Sequence, residues 1–155
     1  MHDNLGNYLG AHRVPYLSET ELRHGALQIA KALKSIHEVG FSHNDVQPRH
    51  FLIRPPKKMG SPVHCNVKLA GLSYATLLTS SPSEPDPKHV APQDHSALFK
   101  SPELIAKGET SAAADVWALG VSMFYLACGK MPFKNTLEVA VSPVPWHFFK
   151  YRPSS

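Results

Sequence analysis

The segment His43-Asn44-Asp45-Val46-Gln47-Pro48-Arg49-His50 gathers acidic, basic and amide side chains around one proline, between a stretch with helical periodicity and one with strand character. Upstream, Ser18-Glu19-Thr20-Glu21 is a capping box, in which the hydroxyl takes a free amide and Glu21 answers from three residues on. Leu22, Ala26, Ile29, Leu33 and Ile36 then recur at steps of four and three, one apolar stripe along a helix that ends near Val39 and Gly40. Downstream, Phe51-Leu52-Ile53 and Val67-Lys68-Leu69-Ala70 are short apolar runs bounded by turn residues, which predicts a small β-hairpin. The polar segment is therefore a loop held at both ends by regular structure, the setting in which a scaffold presents functional side chains.

Farther along, residues 79–93 hold Pro82, Pro85, Pro87 and Pro92 and few large apolar groups, so a loop is predicted there. A second helix runs from about Ala112 through Val116, Trp117, Leu119, Val121, Met123, Phe124 and Leu126 to Ala127, apolar nearly all round. That pattern places a helix at the centre of a core. Gly129 and Pro132 end it, and the Pro/aromatic stretch from Ser142 onward follows neither the helical nor the strand period. The organisation read from these features is one domain over residues 1–140 followed by an irregular tail over residues 141–155.

Composition narrows the function classes. A chain of 155 residues is long enough to bury a core, and 43% hydrophobic with 18% charged residues is the balance of a folded domain. The formal charge of +4 is spread over scattered Lys and Arg rather than a basic block, which argues against nucleic acid as a partner. Cys65 and Cys128 stand far apart without a CxxC partner, and the ten histidines are dispersed at no zinc-ligand spacing, so neither a disulfide nor a metal site is expected. The first residues lack a signal pattern and no run approaches the ~20 apolar residues of a membrane span. The expected setting is the cytosol, or the nucleus, with no membrane partner.

Four segments in order carry a family resemblance. His43 to His50 aligns with the protein-kinase catalytic loop H-R-D-L-x-x-x-N; Gly71-Leu72-Ser73 lies where kinases have D-F-G; Ser101-Pro102-Glu103 takes the place of A-P-E; and Ala114-Asp115-Val116-Trp117-Ala118-Leu119-Gly120 resembles the following core helix. The resemblance covers about Leu17 to Phe133. It implies an α+β, protein kinase-like fold, of which this chain would be the mainly helical large (C-terminal) lobe with a small hairpin and no N-lobe. In such a site magnesium is held by the D-F-G aspartate and the catalytic-loop asparagine. Those positions are Gly71 and His50, one without a side chain and the other an imidazole, whereas a hard cation prefers oxygen. Gln47 stands where a lysine usually reaches the transferred phosphate, and Asn44 where an arginine usually pairs an activation-loop phosphate, so phosphorylation of Thr79, Ser80, Ser81 or Ser83 would lack that partner. Asp45 keeps the position of the base and is read chiefly as a structural carboxylate accepting loop amides. By the same resemblance Asp115 anchors the loop through backbone amides, and His43 and Leu72 pack in an internal spine.

Arg49-His50-Phe51-Leu52-Ile53, Leu69-Ala70-Gly71-Leu72-Ser73 and Ser101-Pro102-Glu103 together are similar to the sterile-twenty-related kinase adaptor (STRAD) pseudokinases. That likeness implies a catalytically inactive adaptor, not an enzyme, that activates a liver kinase B type protein kinase in complex with the scaffold calcium-binding protein 39. The departures are the retained Asp45, a long connection over residues 54–66, and no match to the N-terminal lobe or to the C-terminal helices that would pair Glu103. A truncated form would explain both ends, leaving Glu103 unpaired, partner binding weak or dominant-negative, and at most half of an ATP site. The alternative is an active or residually active Ser/Thr protein kinase that transfers phosphate from ATP with Asp45 as base. A fragment without stable function is the third reading.

Overall fold

The computed structural model describes residues 3–7, 17–53, 66–78 and 95–142. Its longest element, α1 (Glu19–Glu38), starts where the capping box places it: the Ser18 amide donates to Glu21 Oε2 at 2.9 Å and the Glu21 amide to Ser18 Oγ at 3.4 Å. Gly40, at φ +84°, turns the chain out of the helix, a conformation glycine adopts without steric cost. Ile29 and Leu33 on the apolar stripe are buried.

The predicted hairpin is present as β3 (Phe51–Ile53) and β4 (Val67–Leu69), paired antiparallel with Phe51 opposite Leu69 and Ile53 opposite Val67. Two further pairings were not foreseen. The two-residue β1 (Asp3–Asn4) adds to β3, making a three-stranded sheet in the order β1-β3-β4. β2 (Phe41–Ser42) pairs with β5 (Thr76–Leu77), Ser42 opposite Thr76, and so ties the polar loop's entry to the segment after Gly71.

Beyond the sheets lie a 3₁₀ turn at His95–Phe99 and three helices, α2 (Pro102–Lys107), α3 (Ala112–Cys128) and α4 (Thr136–Val141). α3 is capped by Ser111 and stopped by Gly129 at φ +67°. It joins two apolar clusters: Ala118 and Leu126 pack with Leu5, Ile29, Leu33, Val46, Phe51 and Ile53, while Val121 packs with Leu98, Phe99, Phe133 and Val139. Trp117 stacks on Phe133, ring centroids 6.0 Å apart. One expectation is corrected here: α3 is not enclosed all round, because Val116 is 60% exposed, beside Lys34, His37 and Glu38 of α1. The described architecture is α+β and mainly helical. None of its helices is long and apolar enough to cross a membrane. α4 begins inside the expected domain and ends at Val141, and residues 143–155, with Cys65 and the prolines of residues 79–93, lie outside the described residues.

Candidate active site

The polar loop between β2 and β3 is assembled around one buried carboxylate. Asp115, in the first turn of α3 and 1% exposed, accepts the His43 amide on Oδ2 at 2.7 Å and the Asn44 amide on Oδ1 at 2.8 Å. A third donor, His37 Nε2, reaches Oδ2 at 2.8 Å. A carboxylate removed from water is costly unless it is hydrogen-bonded, and here three donors, two from the loop and one from α1, meet it. His37 was missed by the sequence reading. It lies four residues beyond Leu33 and so continues the buried stripe of α1, where a polar residue signals a partner. Ser122 Oγ adds a second tie from α3, donating to the Val46 carbonyl at 3.3 Å.

His43 is fully buried with both ring nitrogens committed. Nε2–H donates to the Ala70 carbonyl at 2.9 Å, and Nδ1 accepts the Asp45 amide at 3.2 Å. A carbonyl can only accept and an amide can only donate, so the ring is the neutral Nε2–H tautomer. Burial pushes its pKa down from the usual value, in agreement with that state.

Asn44, at φ +63°, is the one non-glycine residue with positive φ among the described residues. Asparagine tolerates this region better than most side chains. Its amide donates to the Tyr74 carbonyl and to Thr76 Oγ1, both at 2.8 Å, bridging the loop to β5. The residue that stands in place of a phosphate-binding arginine is therefore a buried strut.

Asp45 differs from its expected role. Its carboxylate accepts from side chains rather than loop amides: Oδ1 from Gln47 Nε2, and Oδ2 from Arg49 Nη2 at 3.1 Å. The side chain is 9% exposed and borders a recess that Val46, Phe99, Lys100 and Leu104 help to line. Two donors leave acceptor capacity, since an ionised carboxylate offers about four lone-pair sites. Gln47 is itself buried, spent on orienting Asp45.

Gly71 and His50 meet. Gly71 has φ +86°, and a Cβ built on it would lie 2.6 Å from both Cγ and Nδ1 of His50. His50 Nδ1–H donates to the Asp45 carbonyl at 2.8 Å and lies 3.4 Å from Asp45 Oδ2. A magnesium ion prefers oxygen ligands in near-octahedral geometry. Between them these two residues offer it an imidazole turned toward its own loop and no side chain at all, so they do not fit that ion. Leu72, expected in an internal spine, is 56% exposed: the left-handed Gly71 opens a 3₁₀ turn, Leu72–Tyr74, that carries the side chain outward. Glu103 is exposed in the first turn of α2.

Comparison with known proteins places this geometry. A family model described as protein kinase domain matches residues 1–143. The chain is 33% identical over 129 residues to the serine/threonine-protein kinase atg1 of Schizosaccharomyces pombe, covering 76% of the chain and 15% of that protein. It is 30% identical over 132 residues to human serine/threonine-protein kinase ULK1, covering 84% and 12%. With the serine/threonine-protein kinase PKH1 of Saccharomyces cerevisiae it shares 32% over 142 residues, covering 86% and 18%. The chain thus spans less than a fifth of the length of these three relatives. Their names overturn the expectation of a non-enzyme: the relatives are serine/threonine protein kinases, and the missing magnesium ligands were too narrow a basis for that reading. These relatives do not carry the finer likeness to the adaptor pseudokinases. With a match across residues 1–143 and a loop built on Asp115 around Asp45, the chain belongs to the protein kinase domain family.

Proposed function

We propose that this lobe acts in phosphoryl transfer from ATP to a serine or threonine hydroxyl, with Asp45 as the group that orients the hydroxyl and accepts its proton. The observation that carries the reading is the Asp45 carboxylate, fixed by Gln47 and Arg49 on a loop that the buried Asp115 holds rigid, with acceptor capacity left over. The relatives' names support the reaction class. A positioned general base contributes roughly 10²–10⁴-fold to such a step.

No step is assigned to a metal ion. Phosphoryl transfer rests largely on positioning and electrostatic stabilisation, so a site in which Gly71 and His50 do not fit magnesium relies on what this loop positions. Rates are expected to be low.

The test is incorporation of labelled γ-phosphate from ATP into a serine/threonine peptide by the 155-residue chain, beside its Asp45→Asn variant. Transfer that falls about a hundredfold or more in the variant supports the reading. Equal counts for the two chains, or none from either, overturn it for this chain. The liver kinase B type kinase and calcium-binding protein 39 are proposed as partners on the motif likeness alone; failure of both to co-purify with the chain would remove them.

A further inference from the structure

We propose that His50 and Gly71 form one interlocked unit: the imidazole fills the volume that a side chain at position 71 would need. The cation site of the family is thereby closed sterically, and it reopens only when both positions change together. This goes beyond the reading of Asp45 and does not depend on whether the chain transfers phosphate.

The contact lies at the rigid root of the ring. The Cβ built on Gly71 meets Cγ, Nδ1 and Cδ2 of His50 at 2.6, 2.6 and 2.7 Å, well inside any van der Waals separation. A flexible side-chain tip could swing away from such a clash, but Cγ moves only with the whole side chain. One bond opposes rotation of the ring, and two more pin the backbone that carries it. Nδ1–H is held by the Asp45 carbonyl at 2.8 Å, the His50 amide donates to the Gln47 carbonyl at 2.9 Å, and the His50 carbonyl accepts the Ala70 amide at 2.9 Å. The last of these fixes the residue beside Gly71 to His50 itself. On the other side His43, whose ring centroid is 6.2 Å from that of His50, is held by the Ala70 carbonyl. Loop and turn are locked from both directions.

It follows that glycine at position 71 has two separate causes. One is the backbone, since φ +86° disfavours any side chain, asparagine and aspartate least. The other is the ring, and this part disappears when the ring is removed. Restoring a carboxylate at position 71 in the presence of His50 forces ring and carboxylate into one space, whereas an asparagine at position 50 frees that space and supplies an oxygen ligand.

The experiment has two arms on the 155-residue chain. In the first, thermal melts are recorded for Gly71→Ala, His50→Ala and the double variant. Gly71→Ala is expected to lower Tm, and to lose at least half of that effect in the His50→Ala background. An equal drop in both backgrounds would show that the backbone alone excludes a side chain and would overturn the interlock. In the second arm, Mn²⁺ is titrated by calorimetry into His50→Asn, Gly71→Asp and the combined variant. Binding at least tenfold tighter in the combined variant than in either single one is expected; equal binding by Gly71→Asp alone, or none in the combined variant, overturns the reopening. The alanine arm decides the interlock even where Gly71→Asp fails to fold.

Discussion

Asp115→Ala is expected to cost about 3–6 kcal/mol of folding stability, the cost of stranding two buried amide donors and a partly buried third. The substitution leaves the His43 and Asn44 amides and His37 Nε2 without their acceptor. An unsatisfied buried donor costs about 1–3 kcal/mol, so the amides alone account for most of the loss. Against a total stability of roughly 5–15 kcal/mol, this variant sits at the edge of unfolding. Urea titration checks it: the midpoint should fall sharply at unchanged slope. Asp115→Asn should recover little, because an amide presents one oxygen and an NH₂ group to three donors. Recovery to near the wild-type midpoint would mean that the negative charge is dispensable.

Phe51→Ala is the second large effect, at about 3–5 kcal/mol. Phe51 is fully buried and begins β3 directly after the polar loop, packed in the cluster with Ile29, Val46 and Leu126. Its loss opens a cavity between α1, α3 and the sheet and weakens the strand that opposes Leu69. Leu72→Ala is the control, since Leu72 is largely exposed and truncation there should shift stability by no more than about 0.5 kcal/mol. Melting the two variants side by side distinguishes the readings. A Leu72 effect as large as that of Phe51 would put Leu72 back in an internal spine.

Local signals carried the parts of the fold that local physics decides. Ser18 with Glu21, the stripe through Ile29 and Leu33, and the two glycines at helix ends each act within a few residues, so α1 and α3 were legible to within their caps. Strands two residues long carry no period, and β1, β2 and β5 were invisible for that reason. α4 was missed although Asn135 and Glu138 announce it: Asn135 Oδ1 caps the Glu138 amide at 2.9 Å, and Glu138 Oε2 reaches back to the Lys134 amide at 2.8 Å. At the site, the motif positions showed which residue types stood at each place. They did not show that His50 lies over Gly71, that Gln47 and Arg49 rather than amides hold Asp45, or that Val116 faces outward, because those facts arise only when distant segments meet.

The Asp115 anchor also has a kinetic side. Its partners lie 71 to 78 residues earlier in the chain, whereas α1 closes on contacts three and four residues apart. A helix of that kind forms on the microsecond scale or faster, but loop closure over such a span has to await the docking of α3. The polar loop is thus among the last parts to acquire its shape. Once α3 is seated, the His43 and Asn44 amides are released only by undocking it, so their exchange with solvent deuterium should follow global opening rather than local fraying.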